Sequence, residues 1–267
     1  MFLSARTRIA LRVFAALAFA FLYIPLAIVV LNAFNTSRTF AFPPTGLTVK
    51  WWSLAAHSSG ALSALRASVE AALGATAVAL VLGTMAAFAV QRYRFFGRST
   101  VSFLVILPIA LPGIVTGIAL QTALQNVVHA PFGLATVIIG HATFCVVIVF
   151  NNVQARLRRM TSSLEQASAD LGATGWQTFR LVTFPGLRGA LLAGGLLAFG
   201  LSFDEIVVTN FTSSPAFQTL PLWIFGNLFR PNQAPIVNVV AAVLILVAVV
   251  PVWLADRISD DAAGSRF

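Results

Sequence analysis

The sequence predicts an all-α integral membrane protein of six transmembrane helices, and three observations carry that prediction. First, 58% of the 267 residues are hydrophobic and 9% are charged, with a mean hydropathy of +0.89, a balance foreign to water-soluble domains. Second, six apolar runs are each long enough to cross a hydrocarbon core of about 30 Å: 13–33, 68–90, 101–123, 134–153, 187–208 and 236–254. Third, the basic residues divide unevenly between the two sides these runs define. With the amino terminus inside, Arg6, Arg8, Arg12, Arg92, Arg94, Arg98, Arg156, Arg158, Arg159, Arg180, Arg188, Arg257 and Arg266 are cytoplasmic, while Arg38, Lys50, Arg66 and Arg230 are outside. That is 13 against 4 of the 17 Lys and Arg residues, the positive-inside bias. Both termini are then cytoplasmic, with 1–12 and 255–267 flanking a membrane domain at 13–254.

The net charge of +9 does not indicate a nucleic-acid surface, because the basic residues are scattered between apolar runs instead of gathered on a face. Cys145 is the lone cysteine and sits in an apolar run, so no disulfide framework or thiolate metal site is expected. His57, His129 and His141 lack metal-ligand spacing.

In chain order, the first run follows Arg6, Arg8 and Arg12 as a signal peptide would. Its apolar length exceeds the about 7–15 residues of a signal core and no clean A-x-A site follows, so it is expected to remain as a membrane anchor. The external segment Asn35–Ala67 carries Pro43, Pro44 and the pair Trp51 and Trp52, residues suited to the membrane interface. Pro108, Pro112, Gly113 and Gly117 interrupt the third run. Such breakers survive where neighbouring groups satisfy the freed backbone, so this span is expected inside a bundle. Gln121 and Gln125 lie four residues apart near its outer end, and either line a polar path or bond a neighbouring helix.

The fifth run is rich in small residues, with Ala190, Gly194 and Ala198 at the spacing that lets helix backbones approach. It also contains Asp204 and Glu205, and a charge at mid-membrane costs roughly 3 kcal/mol on insertion scales. Adjacent side chains on a helix point about 100° apart, so at least one carboxylate is expected to lend negative potential to a cation's route while the other caps or pairs elsewhere. The other reading leaves both solvated among the outer headgroups. The sixth run is rich in Val, Ala and Leu and ends before Asp256, Asp260 and Asp261.

Between the fourth and fifth runs lies the polar-rich stretch 162–185. Ser162 with Glu165 and Thr174 with Gln177 fit two capping boxes, Gly172 falls where a left-handed residue ends the first helix, and Pro185 is expected to stop the second. Leu164, Ala167 and Leu171 share one face of the first helix, and Trp176, Phe179 and Val182 one face of the second. This is a helix–turn–helix outside the lipid with an apolar seam, either an ordinary connection or a docking element. No glycine-rich phosphate loop occurs, so any ATPase driving this chain is another subunit.

The run Gln166-Ala167-Ser168-Ala169-Asp170-Leu171-Gly172-Ala173, with Phe179, Val182 and Phe184-Pro185, resembles the EAA loop of binding-protein-dependent ABC importer permeases. Gly200-Leu201-Ser202-Phe203-Asp204-Glu205-Ile206-Val207-Val208, Thr219-Leu220-Pro221-Leu222-Trp223-Ile224 and Pro235-Ile236-Val237-Asn238 extend the resemblance to second permease subunits of the spermidine/putrescine type. The resemblance implies a type I ABC importer permease fold in a bacterial inner membrane. It implies a homologous second permease, an ATPase dimer that binds ATP and Mg, and an extracytoplasmic solute-binding protein as partners, with no cofactor on this chain. The coupling element would comprise Glu165, Gln166, Ala167, Ser168, Asp170, Gly172, Ala173, Trp176, Phe179 and Pro185. The expected solute is a polyamine or similar organic cation, with Asp204, Glu205, Gln121 and Gln125 as candidate path residues.

Two departures stand out: Gln166-Ala167-Ser168 replaces the usual Glu-Ala-Ala, and Phe184-Pro185 the usual Leu-Pro. Glu165 precedes the usual acidic position by one residue, a rotation of about 100° on a helix. The rival readings are a secondary transporter, a membrane-embedded enzyme and a channel. They are disfavoured by the lack of an internal repeat, of a nucleophile–base or metal constellation, and of a filter sequence.

Overall fold

The computed structural model describes residues 4–230, 233–247 and 253, and among them every long element is a helix. In hydrocarbon a helix satisfies its own backbone groups, which is why apolar runs of this length settle as helices. The elements are α1 (Ala5–Asn32), α2 (Lys50–Ala56), α3 (Ser59–Arg92), α4 (Arg98–Ala110), α5 (Gly113–Asn126) and α6 (Leu134–Arg159). They continue as α7 (Ser163–Asp170), α8 (Gly175–Thr178), α9 (Phe184–Phe203), α10 (Val207–Thr212), α11 (Leu220–Asn227) and the shorter apolar α12 (Ala234–Val247). Four helices are long and apolar enough to cross a membrane, and counting the bent pair α4–α5 as one span makes five. The expected end of the sixth span and the tail 255–267 lie, apart from Trp253, outside the described residues.

The chain forms two units, one holding the chain up to Leu62 with Trp223–Val247, the other holding Ser63–Leu222. In the first unit the segment after α1 folds around the buried Asn35. Its Oδ1 accepts from the Ser37 and Thr45 backbone N–H groups, its Nδ2 donates to Asn32 Oδ1 and Ala41 O, and its own carbonyl accepts the Trp51 indole at 2.7 Å. Trp51 thus ties down the loop, and Trp52 lies against Phe34 with ring centroids 5.0 Å apart.

The second unit is built on α6, whose Phe144, Cys145, Val149, Phe150, Val153 and Leu157 pack with Ala75, Ala79 and Ala87 of α3 and with Leu187 and Ala198 of α9. The anticipated small-residue face of α9 meets α6: a Cβ on Gly194 would stand 3.3 Å from Asn152 Cβ and 3.4 Å from Val149 Cα. A second such stripe, Ala75, Ala79, Gly83 and Ala87, lines α3 and went unremarked in the sequence. It brings α3 still closer, since a Cβ on Gly83 would meet Val146 O at 2.8 Å and Phe150 N at 3.0 Å.

The structure departs from the sequence expectations in the fifth span and at the helix ends, whereas the breakers of the third span, 101–123, do interrupt it: α4 and α5 meet at 107°. Leu111 before Pro112 is extended (φ −82°, ψ 145°), because the proline ring crowds a helical predecessor. Within this chain α5 buries Gly117 and Leu124, while α4 buries none of its residues. The fifth span, 187–208, ends as a helix at Phe203, so Asp204 and Glu205 occupy a break between α9 and α10. Elsewhere the helices run past the expected ends, as α3 does from 59 to 92 against 68–90, because apolarity marks the lipid-facing portion and backbone bonding continues beyond it.

Candidate coupling hairpin and solute path

The stretch 162–185 folds as a helical hairpin. At its turn Gly172 has φ +81°, its N–H bonds Ala169 O at 2.9 Å, and the Ala173 N–H bonds Ser168 O at 3.1 Å. This pair of bonds is a Schellman motif, which satisfies the Ser168 and Ala169 carbonyls at the end of α7. Across the turn Thr174 and Gln177 form the expected capping box: Thr174 N–H reaches Gln177 Oε1 at 2.7 Å and Gln177 N–H reaches Thr174 Oγ1 at 3.4 Å. Ser168 and Thr178 hydroxyls join the two arms at 3.0 Å.

The other box does not form. Ser162 is helical (φ −68°, ψ −11°) and caps nothing, because the Glu165 carboxylate turns to Arg92 and Thr183. Pro185 does not stop the second arm either. A π-helical turn at Phe179–Thr183 widens the ladder just before it, and the chain runs continuously from 175 to 203. Pro185 is the second residue of α9, directly after the π turn.

Phe179 anchors the hairpin, stacked with Trp176 at 5.6 Å and edge-on to Phe88 of α3 at 5.9 Å. Val182 is half-buried, but the rest of the apolar seam is uncovered: Leu171 is 89% and Trp176 68% exposed, and Leu164 and the neighbouring Leu181 are exposed too. Gln166, Ala167, Asp170, Gly172 and Pro185 are likewise exposed, while Glu165, Ser168 and Ala173 are half-buried. Apolar groups left exposed to water at a turn carry a cost that falls when something covers them.

At the other candidate site the two acidic residues have separate tasks. Glu205 Oε1 accepts the Val208 N–H at 2.9 Å and so caps α10. Asp204, at the end of α9, is exposed, and its carboxylate bonds no described residue. Beside them α5 and α10 run in register, Gly113 against Val207 and Gly117 against Phe211. Gln121 and Gln125 are not brought to the carboxylates: eight residues beyond Gly113 is about 12 Å along the helix. Gln121 is half-buried and Gln125 exposed.

No motif or spacing singles out His141, which is fully buried and joins three helices. One ring nitrogen pairs with Ser202 Oγ at 2.7 Å and the other with Thr209 Oγ1 at 2.8 Å, while Thr209 also donates to Glu205 O at 2.8 Å. The break at 204–206 is therefore braced to α6 from both sides. His141→Ala removes partners from two buried hydroxyls and leaves a cavity, an expected loss of about 2–4 kcal/mol. Thermal unfolding of the purified protein in detergent reads it as a lower Tm. Glu70, also passed over within the 68–90 run, pairs with Arg66 on the same helix at 2.6 Å.

Residues 79–262 match the family described as binding-protein-dependent transport system inner membrane component. The chain is 33% identical to the putrescine transport system permease protein PotI of Escherichia coli (strain K12) over 235 residues, covering 86% of this chain and 83% of that protein. It is 33% identical to the spermidine/putrescine transport system permease protein PotC of the same organism over 248 residues, 93% of each. Among solved structures, a bacterial ABC transporter that imports the acidic polysaccharide alginate superposes with a TM-score of 0.66 at 17% identity, over 98% of this chain and 99% of that one. At that identity the likeness speaks for the fold. With the family matched across more than half its length and polyamine permeases aligned along most of it, the chain belongs to the binding-protein-dependent inner membrane components and is a permease of the ABC importer kind.

Proposed function

We propose that this chain is one of two homologous permease subunits of an ATP-driven importer that carries putrescine, spermidine or a similar organic cation across the inner membrane. An extracytoplasmic binding protein delivers the solute, and a separate ATPase dimer, holding ATP and Mg, drives the cycle through the hairpin at 162–185. Six spans, with α12 beginning the last, would leave both termini and the hairpin cytoplasmic, in keeping with the 13 to 4 division of basic residues. The observation that carries the reading is the equal 33% identity to two polyamine permeases over most of the chain. The exposed, Schellman-capped hairpin supports the coupling role, since a rigid body between two spans passes on movement without deforming. Asp204 supports the cationic solute as an uncommitted carboxylate at a helix break.

The test is uptake of labelled putrescine into cells carrying this chain and its partner subunits. With a hydrolysis-dead ATPase and an intact membrane potential, uptake is expected to fall to background. Persistence of uptake would assign the chain to secondary transport.

A further inference from the structure

The two salt bridges among the described residues differ in kind. Arg66–Glu70 lies along one helix with side chains 82% and 39% exposed, where water competes for both charges. Arg92 Nη2 donates to Glu165 Oε1 at 2.7 Å with the side chains only 23% and 24% exposed, and the residues are 73 apart in sequence. The same oxygen accepts the Thr183 hydroxyl at 2.9 Å, and Thr183 is 4% exposed. One carboxylate oxygen thus joins the end of α3, the first arm of the hairpin and the last residue of the π turn that leads into α9. The buried Arg92 Nε has no acceptor, so the guanidinium is held at this junction by Glu165.

Gln166, at the position where related loops carry glutamate, is exposed, whereas Glu165 is rotated about 100° from it and faces the protein. A π turn holds one residue more than the α geometry allows for and persists where neighbours fix it. Pulling α7 therefore loads α3 and the π turn through the same oxygen.

We infer that Glu165 is a positioning residue, a strut to Arg92 and Thr183 that transmits displacement of the hairpin to α3 and α9, and that it makes no contact with the ATPase. The inference rests on the coupling role proposed above, and one arm of its test does not depend on it. In that arm the chain alone, in membrane vesicles, is cleaved with chymotrypsin after Trp176. Glu165→Gln and Arg92→Gln are expected to speed cleavage about fivefold or more, and the exchange R92E/E165R to return it to within about twofold of wild type. Equal cleavage in Glu165→Gln and wild type overturns the strut.

In the second arm the full transporter is purified and reconstituted with the binding protein and putrescine. Glu165→Gln is expected to keep the ATPase bound yet lose about tenfold in solute moved per ATP, with the exchange restoring at least about half. Loss of the ATPase from Glu165→Gln with retention on Arg92→Gln would make Glu165 a docking contact and overturn the inference. If the wild-type chain retains no ATPase, the coupling proposal fails while the cleavage arm still decides the strut.

Discussion

Gly172→Val is expected to cut uptake below about a tenth of wild type while leaving the chain inserted and at normal levels in the membrane. At φ +81° an L residue pays about 1–2 kcal/mol, and a β-branched one more, because its Cβ crowds the following carbonyl. Nothing lies within 4 Å of a Cβ built at this position, so the penalty is conformational and no neighbour clashes. The turn escapes it by leaving the left-handed region, which breaks the Gly172 and Ala173 bonds to α7 and redirects α8. Gly172→Asn, whose side chain tolerates that region, should keep most of the activity. Co-purification of the ATPase is the second readout, and Trp176→Glu, which places a charge on the exposed seam, should lose it as well. Full uptake and full ATPase retention by both Gly172→Val and Trp176→Glu would remove the hairpin from the coupling path.

Asp204→Asn is expected to lower uptake of a polyamine about thirtyfold, whereas Glu205→Gln changes it little. A cation 4 Å from a carboxylate gains ~1 kcal/mol in water and ~4 kcal/mol at an effective dielectric of 20. An exposed carboxylate at a helix break lies between these limits, near ~2 kcal/mol, or about thirtyfold in rate or affinity. Glu205 spends its Oε1 on the Val208 N–H, and glutamine keeps that acceptor, so the cap survives the loss of charge. Glu205→Ala should instead cost about 1 kcal/mol of stability through the lost cap. Transport assays on the three variants, normalised to protein in the membrane, separate the roles. Equal uptake by Asp204→Asn and wild type would take Asp204 out of the cation's route.

The two carboxylates also show where sequence reasoning reached its limit. Composition and run length sufficed for a helical membrane protein, because burying a backbone in lipid leaves few alternatives to a helix. Gly172 and the Thr174–Gln177 box were legible because each depends on residues within five positions of one another. The helix end at Phe203 was not legible: no proline or glycine marks it, and its stabilising bonds come from His141, sixty-one residues upstream of Ser202. Glu165 was misassigned to Ser162 for the same reason, since its true partner Arg92 lies in another helix. The π turn was hidden too, because Pro185 reads locally as a stop and only the ladder ahead of it shows how the chain continues. Local chemistry could be read along the chain, and contacts that fold distant segments together could not.

The near-contact of α3 and α6 at Gly83 has a mechanical meaning. With a Cβ there only 2.8 Å from Val146 O, there is no side-chain layer to shear, and the two helices can slide past each other only by separating first. They form a stiff keel. In the same unit the helices are broken at Leu111–Pro112 and at 204–206, and the second of these breaks, braced by His141, is where Asp204 is carried.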